Sequence, residues 1–486
     1  MSLLDPNVWT SSVLSGGWVR PSGGDVAVLE PATGDELGRV GLANAGDIAQ
    51  ASAAAAKAQT EWARMPFEER AAVLRRAGML FEQHAAEIEG WIVRETGAIP
   101  PKAALETHIA ANECFEASAL PSHSLGDILP SPTRRLSLAR RVPVGVVGVI
   151  SPFNFPLILS IRSVAPALAL GNAVVLKPDV RTPISGGFCL ARVFEEAGLP
   201  EGVLHVLPGG VDAGQALVAD PYTRVISFTG STAAGRRVGE AAGRHLKRVH
   251  LELGGNNALI VLDDADLDRA LSAAAFGSFM HQGQICMTTG RHLVHSSIAD
   301  EYVARLAEKA SNLPVGNPAK DPVALGPLID AGQRDRVHAL VEASVAQGAR
   351  LAAGGTYEGL FYRPTVLDNV TPETPAYAEE VFGPVAPVAR FSTLDEAAEL
   401  AAASSYGLSL GILTRDVLKG LELAERIPSG IVHINDQTVG DEAHAPFGGV
   451  KDSGTGSRFG GAAANVEAFT EGQWVTVQRE ITQYPF

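Results

Sequence analysis

Hydrophobic and polar positions change their spacing twice along the chain. Up to about residue 118 the apolar residues recur at helical spacing, which predicts helices over Asp47–Arg64, Pro66–Thr96 and Pro101–Ser118. Asp47 is expected to cap the first of them. From Pro143 onward, short apolar runs alternate with helix-like stretches, which predicts a doubly wound parallel sheet. Its predicted strands are Val144–Ile150, Ala173–Lys177, Val203–Val206, Arg224–Phe228 and His250–Leu253.

A second β-α alternation begins at residue 258 and predicts a second α/β domain. Its first strand is expected over Ala258–Leu262, followed by a helix over Ala265–Met280 and a further strand and helix. Two other stretches alternate with a period of two residues. Pro121–Arg141 is typical of an exposed hairpin, and Gly472–Ile481 is typical of an edge strand that pairs with another subunit.

Charge and cysteine content exclude several classes of function. The 486 residues carry a formal net charge of −15, which disfavours nucleic-acid and anionic-membrane partners. The three cysteines favour a reducing, cytoplasmic setting over a disulfide framework. We see no signal peptide and no apolar run long enough to span a bilayer. The histidines lack ligand spacing and there is no Cys-x-x-Cys motif, so we expect no metal.

Three polar residues stand where catalysis would need them, although each also has a plainer interpretation. Cys286 lies among small and polar residues just past a helix-like run, as a nucleophile requires, but a lone cysteine is more often a buried apolar residue. Glu252 ends an apolar strand before two glycines, and it can be interpreted as a buried general base or as a loop-facing residue. Asn154 lies between two prolines, and it can be interpreted as an oxyanion donor or as a turn residue.

Several segments could bind a nucleotide or line a cleft, and each is a weak signal alone. Gly230 stands between a strand and a helix whose N-terminus favours an anion, although the segment up to Gly235 is neither a Gly-x-Gly-x-x-Gly nor a Walker motif. Lys177 ends a predicted strand. Glu379–Pro384 offers a carboxylate beside an aromatic ring, and Pro446–Gly454 is a glycine-rich turn.

Taken together and in this order, these segments resemble the aldehyde dehydrogenase superfamily over nearly the whole chain. The resemblance implies that the Cys286 thiolate attacks the aldehyde, that Asn154 and the Cys286 backbone N–H hold the oxyanion, and that Glu252 activates water. A hydride passes to nicotinamide, and water then releases the acid from a thioester. By the same resemblance the cofactor-binding residues are Pro152, Phe153, Lys177, Gly230, Ser231, Gly235, Glu380 and Phe382.

The cofactor expected from the resemblance is NAD. We expect this chain to discriminate against NADP less strongly than many NAD-preferring members of the family do. Many NAD-preferring members carry a glutamate three residues after the strand-end lysine, where this chain has Val180. Val180 would not repel a 2′-phosphate, and Arg181 is nearby. Asp179 could partly replace the missing carboxylate, so NAD remains the expected cofactor and NADP is expected to be tolerated.

The substrate is expected to be an aromatic aldehyde. Ser160–Ser163, with Ile431–Thr438 and the following His444–Pro446, resembles the benzaldehyde and vanillin dehydrogenase branch. Arg162 is expected to face the aldehyde pocket and contact a ring substituent, the alternative being a purely structural salt bridge. Ile285, Met287 and Phe447 are expected to line the same pocket.

Four other activities stay open on the sequence alone. They are an aliphatic or semialdehyde dehydrogenase, a CoA-acylating enzyme, a thiol esterase and a non-enzymatic paralogue. Glu252 argues against CoA acylation, which generally lacks a water-activating glutamate. The joint presence of Cys286, Glu252 and Asn154 argues against a paralogue without activity.

The expected fold is a Rossmann-like cofactor domain with a second α/β catalytic domain and a small oligomerisation element. Residues 1–124 and 143–251 are assigned to NAD(P) binding and residues 252–446 to catalysis. Residues 125–142 and 467–486 would join subunits into a homodimer or homotetramer, through a hairpin near Leu125–Val142 and a strand near Trp474–Ile481.

Overall fold

A computed structural model describes residues 2–486 of the chain. Its helices, numbered in chain order, are Pro6–Trp9 (α1), Ala45–Arg64 (α2), Phe67–Gln83 (α3), Ala85–Thr96 (α4), Pro100–Ala119 (α5), Pro156–Ala169 (α6), Cys189–Glu196 (α7), Val211–Ala219 (α8), Thr232–Arg244 (α9), Leu267–Phe279 (α10), Ala299–Asn312 (α11), Ala331–Ala346 (α12), Pro375–Ala378 (α13), Leu394–Ala402 (α14), Val417–Ala424 (α15) and Ala462–Phe469 (α16). No helix in this range is both long and apolar enough to cross a membrane.

The strands of the same residues fall into two large sheets and several short pairs. They are Val13–Leu14 (β1), Trp18–Val19 (β2), Asp25–Leu29 (β3), Glu36–Gly41 (β4), Gly126–Ile128 (β5), Leu136–Pro143 (β6), Val146–Ile150 (β7), Ala173–Lys177 (β8), Leu204–Val206 (β9), Thr223–Thr229 (β10), Arg248–Glu252 (β11), Asn257–Val261 (β12), Thr289–His295 (β13), Arg350–Ala353 (β14), Tyr357–Glu358 (β15), Phe361–Tyr362 (β16), Thr365–Asp368 (β17), Val385–Phe391 (β18), Tyr406–Gly407 (β19), Ser409–Leu413 (β20), Ile431–Ile434 (β21), Val450–Lys451 (β22) and Thr470–Val477 (β23).

The first large sheet has the strand order β11-β10-β7-β8-β9-β1-β2. Its first five strands run parallel, and β1 pairs antiparallel with both β9 and β2. Every residue of β7 is buried, as is every residue of β8 except Lys177, because helices pack against the sheet. The predicted doubly wound sheet is therefore confirmed, and all five predicted strands are present.

The second large sheet has the order β14-β17-β18-β13-β12-β20-β21 and is parallel except at its β14 edge. The predicted strand, helix, strand and helix after residue 258 correspond to β12, α10, β13 and α11. The strands β12 and β20 are buried along their whole length, and apart from the first residue of each, Asn257 and Ser409, they contain only apolar residues and glycine.

A small antiparallel sheet, β23-β6-β5, stands apart from the two large sheets. The predicted hairpin forms its β5 and β6 strands, and β23 pairs with β6 of the same chain from Thr470 opposite Pro143 to Val477 opposite Leu136. The tail strand was expected to reach Ile481, but it ends at Val477, where its pairing with β6 ends.

Local details of the first helices differ from the sequence prediction. Asn44, rather than Asp47, is the N-cap of α2: its side chain accepts from the backbone N–H groups of Gly46 and Asp47. The Asp47 carboxylate accepts from the Asn44 backbone N–H in return, which completes a capping box. The predicted helix over Pro66–Thr96 is two helices, because His84 leaves the helical conformation between α3 and α4.

Candidate active site

The carboxyl ends of β7, β8 and β10 open into one cleft, as expected for a parallel sheet. The segment after β7, Lys177 at the end of β8 and the turn after β10 all reach it, although they are far apart in sequence. The candidates that line this strand-end cleft are Pro152, Phe153, Asn154, Lys177, Gly230, Ser231, Cys286, Glu380 and Phe382.

A second, mostly apolar cavity meets this cleft from the other side. The two cavities share Asn154, Leu159 and Cys286. Phe276 and Leu105 are about half exposed and mark the outer end of the second cavity, whereas Ile285, Met287 and Phe447 are buried. The candidate thiol and amide therefore lie where two separate binding spaces join. The apolar cavity is lined by Leu105, Ile109, Asn154, Phe155, Ile158, Leu159, Arg162, Phe276, Met280, Ile285, Cys286, Met287, Val439, Asp441 and Phe447.

The chain reaches Cys286 through an unusual turn after α10. His281, Gln282 and Gly283 have φ angles of 46°, 56° and 65°, a conformation that non-glycine residues rarely adopt. The side-chain amide of Gln282 donates to the carbonyls of Gly97 (3.0 Å) and Pro327 (2.7 Å), which holds this backbone in place. Cys286, three residues beyond this turn, is half-buried and lines both cavities.

Asn154 is fixed from both its side chain and its backbone. Its Nδ2 donates to the Gln284 carbonyl at 2.9 Å, and its own carbonyl accepts from Lys102 Nζ at 2.8 Å. Lys102 is fully buried and ion-paired with Glu106, whose other oxygen accepts from the Leu157 N–H at 2.7 Å. Sequence reasoning missed this pair. The signal was a lysine and a glutamate four residues apart on a helix whose other positions there are largely apolar.

Two glycines, Gly254 and Gly255, follow Leu253 after the Glu252 strand, and other chain segments approach the backbone closely at both of them. A Cβ atom on Gly254 would lie 2.3 Å from Glu380 Oε2, and one on Gly255 would lie 2.3 Å from the Cys286 carbonyl oxygen. The Gly255 N–H donates to Glu380 Oε1 at 3.0 Å. The paired glycines thus allow the Glu252, Cys286 and Glu380 segments to converge.

Burial dominates the electrostatics of the thiol and the carboxyl group. Glu252 is 3% exposed and both of its carboxyl oxygens lack a hydrogen-bond partner, and this burial raises its pKa to about 8. Burial also raises the pKa of the Cys286 thiol to about 12, with smaller contributions from Glu380 and Glu252. Glu252 is not part of either cavity wall, so the structure places it close to the junction but behind its lining.

Of the residues predicted to bind the cofactor, all line the strand-end cleft except Gly235, which packs against Leu253 instead. Phe382 meets Phe153 edge to face at 6.0 Å, and burial raises the pKa of Glu380 to about 7. Ser231 caps α9 by accepting from the Ala234 N–H at 3.3 Å. Gly235 lies one turn further and does not line the cleft, and a Cβ atom there would be 2.2 Å from Leu253.

The segment after Lys177 forms a charged corner of this cleft. Both guanidinium edges of Arg181 are used, since it pairs with Asp179 at 2.8 Å and with Asp330 at 2.7 Å. Its guanidinium also stacks over Phe153 at 4.1 Å. Val180 lines the continuation of the cleft towards α8 and α9. The Asp179 carboxylate is therefore occupied by Arg181.

Arg162 faces the apolar cavity, as expected, and it also forms the salt bridges of its alternative, structural interpretation. It lines the apolar cavity, and it is ion-paired with Asp441 and lies 3.5 Å from Glu113. Its guanidinium stacks over Phe447 at 4.4 Å. Asp441 and Glu113 were not predicted as part of the site, because no local pattern marks a carboxylate on a loop or an apolar helix as the partner of a distant arginine.

Two mostly parallel, seven-stranded α/β sheets, with a thiol where a strand-end cleft meets an apolar cavity, define a Rossmann-like class of two-sheet proteins. A model of the aldehyde dehydrogenase family matches residues 18–475, and the chain belongs to this family of oxidoreductases acting on aldehyde groups. It is 71% identical to a vanillin dehydrogenase of an Amycolatopsis species over the full length of both chains. It is 52% identical to a benzaldehyde dehydrogenase [NAD(+)] of Pseudomonas putida, over 99% of this chain and 98% of that one.

Solved structures have the same fold. A salicylaldehyde dehydrogenase from Pseudomonas putida G7, complexed with salicylaldehyde, superposes with a TM-score of 0.94 at 36% identity. The match covers 98% of this chain and 99% of that chain. The resemblance seen in the sequence is thereby confirmed at the level of family and fold.

Proposed function

We propose that the protein oxidises aromatic aldehydes to carboxylic acids, with NAD as the hydride acceptor. The observation that carries the proposal is that Cys286 and Asn154 lie at the junction of the strand-end cleft and the apolar cavity. One space suits a dinucleotide and the other suits a ring. The names of the two relatives, a vanillin and an NAD-dependent benzaldehyde dehydrogenase, support the same substrate class and cofactor.

The residues of the cleft fit a dinucleotide. Gly230 and Ser231 precede the N-terminus of α9, where unpaired backbone N–H groups would hold a pyrophosphate. Lys177 and Glu380 would each hold a ribose, and Phe382 would pack near the nicotinamide ribose with Phe153 and Pro152 beside it. Gly235 would contribute by letting α9 pack against Leu253. When bound, the nicotinamide supplies a hydride acceptor next to the thiol.

The chain's own residues would carry out the bond changes at sulfur. Cys286 Sγ gives its proton to water and bonds to the aldehyde carbon, which moves the π electrons of the carbonyl bond to oxygen. Asn154 Nδ2 and the Cys286 N–H donate to the resulting oxyanion. Loss of a hydride from that carbon leaves a thioester on Cys286. Glu252 then takes a proton from water, the water oxygen bonds to the acyl carbon, and the carbon–sulfur bond breaks to release the acid.

The apolar cavity favours a ring over a flexible aliphatic chain. Phe155, Phe276 and Phe447 contribute aromatic surfaces, and Met280 and Met287 add polarisable side chains that adapt to a planar ligand. Ile285 completes the wall next to the thiol. Within the part of the chain that the structure describes, Arg162 is the one cationic residue in the lining of this cavity, and its pairing with Asp441 leaves no free cation for the carboxylate of a semialdehyde.

The decisive measurement is reduced-cofactor absorbance with benzaldehyde, vanillin and succinic semialdehyde, each with NAD and with NADP. We expect turnover of both aromatic aldehydes with NAD, weaker use of NADP, and loss of all turnover in Cys286→Ala. Cys189→Ala is the matched control, since Cys189 is buried in α7 away from both cavities. Turnover of the semialdehyde alone would overturn the aromatic assignment while leaving the aldehyde chemistry intact.

The same proposal assigns the cofactor and the catalytic residues to different domains of the chain. Residues 1–124 and 143–251 would form the cofactor-binding domain and residues 252–446 the catalytic domain.

We also propose a homodimer or homotetramer assembled through residues 125–142 and 467–486. The support is the small sheet β23-β6-β5, where Ile128, Trp474 and Val477 are 77%, 66% and 52% exposed. Exposed apolar side chains on a small sheet with free edges favour burial against a second subunit.

A further inference from the structure

A fully buried ion pair contacts the backbone of Asn154. Lys102 and Glu106 lie four residues apart on α5, and neither side chain has exposed surface. Lys102 Nζ donates to Glu106 Oε2 and, at 2.8 Å, to the Asn154 carbonyl oxygen. The same ammonium lies 4.2 Å from the centre of the Phe155 ring. Neither Lys102 nor Glu106 lines the strand-end cleft or the apolar cavity, so the pair touches neither a bound cofactor nor a bound aldehyde.

The pair fixes the chain on both sides of the Asn154 side chain. The N-terminus of α6 has no side-chain cap of its own. Glu106 Oε1 accepts from the backbone N–H groups of Leu157 at 2.7 Å and Ile158 at 3.4 Å, so α5 supplies the cap that α6 lacks. Lys102 holds the carbonyl just before this helix. The backbone that carries the candidate oxyanion donor is therefore tied to α5 at two points.

The side chain of Asn154 is fixed separately. Its Nδ2 carries two hydrogens, and one of them is donated to the Gln284 carbonyl at 2.9 Å. The second hydrogen is the one that can be donated to the oxygen of a substrate bonded to Cys286. Its direction depends on both anchors, because Gln284 holds the amide end of the residue and Lys102 holds the carbonyl end.

Folding stability does not account for the charges of this pair. Taking an ammonium and a carboxylate out of water is costly, and replacing a buried ion pair by neutral groups of similar volume often leaves stability unchanged or raises it. A hydrogen bond from a charged group is shorter and stronger than one from a neutral group, so it holds its acceptor more closely in place. The buried charges are therefore suited to keeping Asn154 at a fixed position.

We infer that Lys102, held in place by Glu106, is a positioning residue that sets the distance from Asn154 Nδ2 to the oxyanion of the reaction. This inference rests on the proposed function, in which Asn154 donates to that oxygen. A donor of this kind acts at about 2.7–3.1 Å from the developing charge, so a displacement of about 0.5 Å weakens its effect. Lys102 acts through Asn154 and touches no reacting atom.

The test replaces the charged pair by a neutral pair of similar volume. Lys102→Met alone would leave the Glu106 carboxylate buried without its partner, so it is combined with Glu106→Gln, which keeps an oxygen for the N–H groups of α6. The midpoint of thermal unfolding should stay close to that of the unaltered protein. The single-turnover rate of NAD reduction by benzaldehyde, followed by absorbance with the protein in excess, should fall about 10–100-fold, because the donor is displaced from the oxyanion.

Two further measurements show whether the loss is exerted through Asn154. Alkylation of Cys286 by iodoacetamide forms a carbon–sulfur bond without an oxyanion, so its rate should change by less than about threefold in the double variant. In an Asn154→Ala background, the same double replacement should slow NAD reduction by less than about threefold, because the donor is already absent. A merely structural role of the pair would give the same loss in both backgrounds and would also slow alkylation.

The matched control is Arg244→Met with Glu240→Gln. These two residues form an ion pair of the same four-residue spacing on the surface of α9, and they line neither the strand-end cleft nor the apolar cavity. The same chemical change at this place should leave NAD reduction and Cys286 alkylation unchanged.

The outcomes separate this inference from the function on which it rests. Unchanged NAD reduction in Lys102→Met with Glu106→Gln, together with a loss in Asn154→Ala, overturns the positioning role and leaves aromatic aldehyde oxidation standing. A loss of the same size in the Asn154→Ala background, or an equal loss in alkylation, also overturns the positioning role alone. Unchanged NAD reduction in Asn154→Ala overturns the oxyanion role and the positioning role together. Absence of NAD reduction by benzaldehyde in the unaltered protein overturns the proposed function, and this inference with it.

Discussion

The carbonyl oxygen of Cys286 lies 2.3 Å from the point that a Cβ atom on Gly255 would occupy, so this position after the Glu252 strand must be glycine for the thiol loop to close. Asn257 Nδ2 donates to the same carbonyl at 2.8 Å and holds it there. The segment that presents the candidate base therefore also positions the candidate nucleophile.

Gly255→Ala should displace the Cys286 loop and lower kcat/KM about a hundredfold, since a shift of about 1 Å at the reacting atom has that effect. Gly90→Ala is the control, because Gly90 lies within α4 and a Cβ atom added there would have no neighbouring atom within 4 Å. It should raise the free energy of unfolding by about 0.5–1 kcal/mol without changing kcat/KM. Normal activity of Gly255→Ala would contradict the close approach.

Asn154→Ala should reduce kcat about 10²–10³-fold, because it removes a fixed donor from the oxyanion. The loss should appear in steady-state assays with benzaldehyde at saturating NAD. Asn112→Ala, on the exposed side of α5, makes the same chemical change away from the cavities and should be neutral. A reduction in Asn154→Ala confined to KM would argue for substrate binding instead of oxyanion stabilisation.

The pH dependence of deacylation should follow Glu252. Burial raises its pKa to about 8, so the carboxylate that accepts the water proton is present above pH 8 and kcat falls about tenfold per pH unit below it. Glu252→Gln should lose this limb, reduce kcat about 10²–10⁴-fold and accumulate an acyl group on Cys286, detectable by intact-protein mass spectrometry. Glu399→Gln, exposed on α14, should retain the wild-type profile. Absence of the acyl-enzyme in Glu252→Gln would reject this role.

Cofactor selectivity should respond to residue 180. Val180 lines the cleft beyond Lys177, and Asp179 is neutralised by Arg181, so little negative charge opposes a 2′-phosphate. Val180→Glu should lower kcat/KM for NADP about tenfold or more and that for NAD by less than about threefold. Val345→Glu, partly exposed on α12, should change neither value. Equal losses with both cofactors would indicate a general disturbance of the cleft.

Trp474→Asp should dissociate the proposed homodimer or homotetramer. Trp474 is 66% exposed on β23, and a carboxylate in a buried subunit contact would be unpaired. Light scattering after size-exclusion chromatography should give a dimer or tetramer mass for the wild type and a smaller mass for the variant. Leu418→Asp, at another exposed apolar position on α15, should keep the wild-type mass. An unchanged mass in Trp474→Asp would show that Trp474 is not part of the subunit interface.

The sequence by itself determined the two α/β sheets and the hairpin, because strand and helix patterns depend on periodicity and on neighbours within a few residues. Cys286, Asn154, Lys177 and Glu380 became site candidates through the resemblance of their segments to the aldehyde dehydrogenase family. The division of Pro66–Thr96 at His84 and the capping of α2 by Asn44 were missed, since a single residue leaving the helix changes little in the surrounding pattern.

Only the tertiary structure decided which distant groups meet. The partnership of Arg162 with Asp441 joins residues 279 positions apart, and the support of Asn154 by Lys102 joins residues 52 apart. The left-handed backbone at His281 and Gln282 is held by contacts with Gly97 and Pro327, which no local pattern encodes. The pKa of Glu252 likewise depends on the burial that the whole fold creates, because desolvation is a property of the packed interior and not of the residue.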